Sequence, residues 1–305
     1  MLVERLARVF LPACVGLMLV CPASARADQE RFAEPEAALK AFVEVLRLAD
    51  PARLGDLFGA ENLHELVGDD PEEAKADLTR AYASAKDTAS LRPDGPDRMI
   101  MVIGRSAWPF PVPLVREADG WRFDTEAGVE EIVNRRVGRN ELAAIEVLRA
   151  YVEAQRVYAS QDRDGDGVLE YAQHLASTGE QRDGLYWPTA AGDEPSPFGP
   201  FLAEVDDYLQ GRQAGEPYRG YSFRVLTGQG PQAPGGAYSY VINGNMVAGF
   251  ALFAWPAEYG DSGVMSFLVG NDGVVLETDL GPDTAERARA ITSYDPDPAW
   301  RRSTD

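Results

Sequence analysis

The sequence predicts an α+β protein in which N-terminal helices pack against an antiparallel sheet and a long helix then packs on an antiparallel β-meander. Three observations carry this. Residues 32–86 show helical periodicity before any strand pattern begins, β-rich apolar runs follow in hairpin order, and a second helical stretch leads into short strands separated by Asn-Gly and Asp-Gly.

Phe32 to Leu48 reads as an amphipathic helix, with Leu39, Phe42, Val43 and Leu46 at the i, i+3, i+4, i+7 spacing. Asp50-Pro51 ends it, and Ala52 to Phe58 forms a second, short helix. A third runs from Pro71 to Lys86, started by Asp70 as N-cap, Pro71 at the first position and Glu73 at the third. Strands follow at Arg98 to Gly104, Val112 to Arg116 and Gly120 to Asp124, the last two joined by the turn Glu117-Ala118-Asp119-Gly120. After Val129 to Arg136, the run Arg135-Arg136-Val137-Gly138-Arg139-Asn140 interrupts the helical pattern. That break separates an N-terminal domain, 28–137, from a C-terminal domain, 138–305. The second domain opens with a helix from Glu141 to about Ser160 that buries Ile145, Leu148, Val152 and Ala159. Its strands are Ser222 to Thr227, Tyr238 to Ile242, Val247 to Trp255, Val264 to Val269 and Val274 to Thr278, with tight turns at Asn243-Gly244 and Asp272-Gly273. Asp283 to Ile291 makes a closing helix, and the tail is ordered where Trp300 docks.

The composition excludes several classes of function. A chain of 305 residues that is 45% hydrophobic builds a packed core, and 29 glycines with 21 prolines are too few for a collagen-like or low-complexity chain. With 49 acidic against 29 basic side chains, the net charge of −20 opposes binding to phosphate backbones and anionic headgroups, so nucleic acid is not an expected partner. Residues 1–27 read as a signal peptide: Arg5 and Arg8 are its positive region, Val9 to Cys21 its apolar run, and cleavage follows Ala25-Arg26-Ala27. Val20 ahead of Cys21 argues against lipidation. No later stretch is long and apolar enough to anchor the chain, so the expected location is periplasmic or secreted. Cleavage removes Glu4, Arg5, Arg8 and Arg26, which takes the charge from −20 to −22. It also removes Cys14 and Cys21, leaving an exported chain with neither disulfide nor thiol chemistry. His64 and His174 lie far apart and outside any zinc spacing.

The helix from Asn140-Glu141-Leu142 through Ala154-Gln155 to Tyr158-Ala159-Ser160 is followed by an Asp-Gly-rich loop, Gly220-Tyr221-Ser222-Phe223, Ser262-Gly263, Ser266-Phe267 and Asn271-Asp272-Gly273-Val274. Over roughly residues 140–280 this resembles the globular part of type IV pilins and type II secretion pseudopilins. Those proteins carry an apolar N-terminal helix half. Here Arg135, Arg136 and Arg139 stand before the helix, which argues against filament assembly by the usual route. The earlier helix-helix-then-hairpin order, ending in Trp121-Arg122-Phe123, resembles the cone-shaped nuclear-transport-factor-2-like fold. The chain as a whole carries Trp108-Pro109-Phe110-Pro111, Trp121-Arg122-Phe123-Asp124-Thr125, Asn134-Arg135-Arg136, Asp162-Arg163-Asp164-Gly165-Asp166-Gly167 and Phe250-Ala251 to Trp255-Pro256-Ala257-Glu258-Tyr259-Gly260. In these it is similar to the bacterial family named domain of unknown function 2950, across nearly the whole exported chain. That name implies no activity.

Asp162-Arg163-Asp164-Gly165-Asp166-Gly167-Val168-Leu169-Glu170 is the sharpest chemical motif. Asp162, Asp164 and Asp166 stand at loop positions 1, 3 and 5, where alternating carboxylates converge on one hard cation; Gly167 permits the turn at position 6, and the Val168 carbonyl is the next ligand. Leu169 is expected to anchor the loop to the core. A full EF-hand ends on a bidentate Glu, but Gln173 stands there, leaving Glu170 as the nearest acidic substitute. The expected cofactor is a structural Ca²⁺, with a dissociation constant on the order of 10⁻⁴–10⁻³ M. The other reading is a solvated acidic turn after a helix.

Gly260-Asp261-Ser262-Gly263 matches a serine-protease nucleophile string, but neither histidine has a catalytic context and flanking strands make it a hairpin turn. His174 follows Glu170 by four positions and could share a helix face with it, for acid–base work or as a local ion pair. His64 is equally ambiguous. Trp108 with Phe110, Tyr186-Trp187, Tyr218-Arg219-Gly220-Tyr221, and Trp255 with Tyr259 could line a peptide or glycan groove, or fill the core at strand ends. Two functions therefore stand open. One is a non-enzymatic binding or envelope-assembly module whose partner is an envelope protein, peptide or glycan. The other is a hydrolase or isomerase with a pocket in the N-terminal domain. An enzyme predicts a deep pocket with convergent titratable groups; a binding module predicts a flat or grooved aromatic patch.

Overall fold

The computed structural model describes residues 29–59, 71–163, 165–178, 182–189, 194–199 and 217–304. The signal-peptide segment, Asp70 and His64 lie outside the described residues. The chain divides into two compact units, Met1–Arg135 and Arg136–Asp305. Each combines helices with antiparallel strands, the α+β class the sequence predicts.

In the first unit, α1 (Pro35–Leu48), α2 (Ala52–Phe58) and α3 (Pro71–Ala85) precede β1 (Ser90–Pro93), β2 (Arg98–Ile103), β3 (Trp108–Pro109), β4 (Leu114–Glu117) and β5 (Gly120–Phe123). Pro35 starts α1 because its fixed φ suits a first helical turn, and Ala49 ends it in the left-handed conformation with its N–H on the Leu46 carbonyl. Phe32, which the periodicity places in this helix, instead exchanges backbone hydrogen bonds of 2.9 and 2.7 Å with Trp121 of β5. That contact requires Gly120, at φ 128°, since a Cβ there would stand 2.6 Å from the Phe32 carbonyl oxygen. The antiparallel sheet runs β1-β2-β4-β5, with β3 also on β2. The predicted strands are present, and β1 and β3 add to them. Phe42, Phe58, Trp121, Phe123, Met101 and Leu114 are buried at its centre.

Helix α4 (Thr125–Tyr158) is continuous through the stretch that the sequence reads as a break. The polar residues there mark partners rather than an end. Arg135 donates to Glu131 Oε1 and to the Pro109 carbonyl, both at 2.8 Å, whereas Arg136 pairs with Asp261 and Asn140 Nδ2 donates to the Ser262 carbonyl at 2.8 Å. The helix contributes its first residues to one unit and the remainder to the other.

The second unit is built on the antiparallel sheet β16-β15-β14-β13-β8, formed by β8 (Tyr221–Leu226), β13 (Ala251–Pro256), β14 (Met265–Gly270), β15 (Val275–Asp279) and β16 (Arg301–Arg302). Smaller pairs join β6 (His174–Ala176) to β7 (Gly184–Tyr186), β9 (Gly228–Gln229) to β10 (Tyr238–Ser239), and β11 (Val241–Ile242) to β12 (Asn245–Met246). Tyr238 to Ile242 is thus two short pieces with different partners. The strand predicted from Val247 begins only at Ala251, because Met246 closes a hairpin on Val241 through Asn243-Gly244, both at positive φ. α5 (Thr284–Ala290) is the predicted closing helix. Trp300 docks as expected, its ring 6.4 Å from that of Phe253, and the chain then pairs with β15.

This core is rich in tyrosine. Tyr158 Oη donates to the Arg182 carbonyl at 2.7 Å, Tyr221 Oη to the Met265 carbonyl at 2.8 Å, and Tyr240 Oη to Gln229 Oε1 at 3.1 Å. Tyr151 Oη donates to the Ala251 carbonyl at 3.3 Å and accepts from Gln155 Nε2 at 2.9 Å. Gln155 also spans to Ala172, donating to its carbonyl and accepting its N–H, both at 2.8 Å. Burial pushes the hydroxyls of Tyr151, Tyr221 and Tyr240 well above the usual tyrosine range, and raises Tyr294 to about 12.

Candidate functional site

The first unit contains a partly open cavity of about 250 Å³. Phe42 and Leu46 of α1, Leu54 and Phe58 of α2, and Ala74, Leu78 and Ala81 of α3 form one side of its lining; Ile103, Trp108, Phe110 and Val112 form the other, with Ile132 of α4. The space follows from side-chain size. α3 turns alanines inward at Ala74, Ala81 and Ala85, so it cannot fill what the larger rings opposite leave open. The rings are in mutual contact: Phe42 lies 4.8 Å from Phe110 and 6.0 Å from Phe58, and Trp108 lies 6.3 Å from Phe110. Two contacts hold the start of α4 to this wall. Thr125 Oγ1 donates to the Phe58 carbonyl at 2.8 Å, and Gly128 lets Val112 approach so closely that a Cβ would meet it at 2.5 Å.

Asp77 is the one charged residue lining the cavity among the described residues; Ser84 and Ser106 supply hydroxyls at exposed positions. Its carboxylate is buried, and Oδ1 accepts no aligned hydrogen bond. The Arg80 guanidinium, one turn along α3, pairs with that oxygen from an exposed position. Sequence reasoning missed Asp77, although the signal was present. Ala74, Leu78, Ala81 and Ala85 mark the apolar stripe of α3, and Asp77 falls on that stripe, three residues after Ala74 and four before Ala81.

In the acidic loop the described carboxylates accept hydrogen bonds from backbone and side-chain donors. Asp162 accepts the Gly165 N–H at 2.8 Å and the Gly167 N–H at 3.0 Å, one on each carboxylate oxygen. Asp166 accepts the Val168 N–H at 2.7 Å and Asn245 Nδ2 at 2.5 Å, while Glu170 accepts the Met246 N–H at 3.0 Å. Asp164 lies outside the described residues. Among the described residues, no group of three or more His, Cys, Asp or Glu side chains comes close enough to hold a metal. Leu169 does not anchor the loop: it is 59% exposed, and the neighbouring Val168 is exposed too. The loop is held instead from its other side, where Arg163, almost fully buried, sits against the Tyr158 and Trp187 rings and donates to the Tyr158 carbonyl.

Ser262 Oγ accepts the Glu258 N–H at 2.9 Å and donates to the Glu258 carbonyl at 3.0 Å, so the hydroxyl of Gly260-Asp261-Ser262-Gly263 closes its own turn. Glu170 and His174 do not share a helix face: the first lies in a loop and the second begins β6. Of the aromatic clusters, Trp108 and Phe110 line the cavity. Tyr218 and Tyr221 are buried on either side of the tight turn Arg219-Gly220, Trp187 is buried, and Trp255 stacks on Phe253 at 5.0 Å.

No helix among the described residues is long and apolar enough to cross a membrane. No curated protein and no solved structure matches the chain. The profile of one family, described as "Protein of unknown function (DUF2950)", matches residues 29–303, which is nearly all of the sequence. The chain belongs to that family.

Proposed function

We propose that the chain is an exported, non-catalytic binding module of the cell envelope whose ligand enters the cavity of the first unit. The observation that carries this reading is the cavity itself: an aromatic and aliphatic lining interrupted, among the described residues, by a single carboxylate. Chemistry on a substrate calls for convergent titratable groups, and a lone Asp77 beside exposed serines offers position and polarity rather than an acid–base pair. An apolar cavity of about 150 Å³ is enough to take up benzene, so this one suits a ring bearing a short chain. The test is titration of the full chain with toluene and 1-hexanol, followed by tryptophan emission and melting temperature. Saturable binding that Ala81→Leu abolishes supports the reading, and its absence for both ligands overturns it.

In the same reading the second unit is a pilin-like scaffold stiffened at its acidic loop by Ca²⁺. The 1, 3, 5 spacing of Asp162, Asp164 and Asp166 favours this, as do Gly165 and Gly167 at φ 80° and 87°, which turn backbone amides toward Asp162. Those amides already offset part of the carboxylate charge, so the expected ion effect is modest. Comparing melting temperature in millimolar Ca²⁺ and in chelator, for the native chain and Asp164→Ala, decides it. Equal values in all four samples remove the ion.

A further inference from the structure

We infer that the cavity selects an aromatic or aliphatic amine, bound as its ammonium ion with the charge on Asp77 and the apolar body among the rings. This rests on the cavity being a ligand site and goes on to name the ligand class. Three observations lead to it. First, a carboxylate in an apolar wall is unfavourable unless a cation or donors reach it, and the Asp77 side chain is only 9% exposed. Second, its internal counter-ion lies outside the cavity lining. Arg80 is 53% exposed, does not line the cavity, and approaches Oδ1 without the alignment of a hydrogen bond. It neutralises the carboxylate from an exposed position, and the guest's donor takes the part of Asp77 that lines the cavity. Third, the walls suit a cation. Phe42, Phe58 and Phe110 are mutually in contact around the space, and aromatic faces attract an ammonium group that has shed its water; the Trp108 ring, against Phe110, already carries the Arg135 guanidinium at 5.2 Å.

The same lining disfavours the obvious competitor. A fatty acid or other anionic amphiphile would bring its head towards Asp77, and no Lys, Arg or His lines the cavity among the described residues. A neutral alcohol could donate one hydrogen bond to Asp77, but it would lack the charge-assisted part of the interaction and gain less from the rings. The volume sets the scale of the guest. About 250 Å³ admits a phenyl ring with an aminomethyl or aminoethyl arm, or an alkylamine of similar bulk.

The experiment is calorimetric titration of the full chain at neutral pH with three probes of one shape: benzylammonium, benzyl alcohol and toluene. Benzylammonium should bind at least about tenfold more tightly than the other two. Asp77→Asn should remove that preference and leave toluene binding within about twofold, which also reports that the variant is folded. Arg80→Ala, an exposed change on the same helix, removes the competing cation and should tighten benzylammonium alone. Toluene and benzyl alcohol binding as well as benzylammonium would overturn the amine assignment while the cavity remains a ligand site. A preference for benzylammonium that survives in Asp77→Asn would overturn it equally. If none of the three binds, both this assignment and the cavity reading fall.

Discussion

The first unit fills its core with phenylalanine, tryptophan and small aliphatic side chains and leaves a space among them, whereas the second builds its core around tyrosines whose hydroxyls reach defined acceptors. A phenyl ring makes no directional demand, so the packing around Phe42, Phe58 and Phe110 tolerates a gap. A buried hydroxyl must find its partner or lose its hydration without return, so Tyr151, Tyr158, Tyr221 and Tyr240 each fix the distance between two backbone segments. The difference is one of packing: one core leaves a space, and the other holds geometry.

The comparison breaks most visibly on ring deletion. Phe253→Ala, at a fully buried position, should destabilise by about 3–5 kcal/mol in urea unfolding. Phe110→Ala, half-buried and already beside a space, should lose only about 1–2 kcal/mol. Equal losses would mean that the cavity is closed in solution. Adding volume sharpens the contrast. Ala254→Leu has no room in the second core and should destabilise by about 1–3 kcal/mol, while Ala81→Leu fills the cavity and should be neutral or stabilising by up to about 1 kcal/mol. A smaller effect comes from one hydroxyl. Tyr221→Phe leaves the Met265 carbonyl without its donor, for a loss of about 1–2 kcal/mol, resolved by comparing unfolding midpoints.

The comparison extends to pH. Because burial raises Tyr294 to about 12 from an ordinary 10.0, the folded chain holds that proton more tightly than the unfolded one. Its stabilising contribution is complete below pH 10 and is lost as pH rises toward 12. The second unit should therefore soften first in alkali, with a weaker dependence in Tyr294→Phe, as read from tyrosine absorbance during urea melts. In the first unit the sign reverses. Hydrogen bonds from Arg31 and then Arg122 hold Glu117 below its ordinary 4.5, so its contribution is present above that value and lost as pH falls through the lowered one. Glu117 is partly exposed, and screening keeps the effect under about 1 kcal/mol. Acid that softened the second unit first would break the pattern.

How much of this was legible follows from which physics leaves a periodic trace. The three N-terminal helices, the 114–123 hairpin and the Asn243-Gly244 turn could be read because apolar spacing and positive-φ residues are local signals. Helix α4 could not be traced through Arg135 to Asn140, because the groups that satisfy those polar side chains, Asp261 and the Ser262 carbonyl among them, lie more than a hundred residues away. A pocket in the N-terminal domain is one of the two sequence readings, but its lining leaves no periodic trace, since a void is what several distant side chains fail to fill. Asp77 was readable only as a single carboxylate on an apolar stripe, a weaker local signal than the denser acidic run at Asp162.

Gln155 offers Ala172 the same donor and acceptor that an adjoining strand would present. Residues 156–171 are consequently a ring fastened at its base, and the entropy of closing that ring is settled there rather than at the tip. Lengthening such a ring is inexpensive, about 0.6 kcal/mol for each doubling. Peptides grafted between Asp162 and Glu170 should leave the surrounding sheet in place, making this loop a natural position for insertion and display.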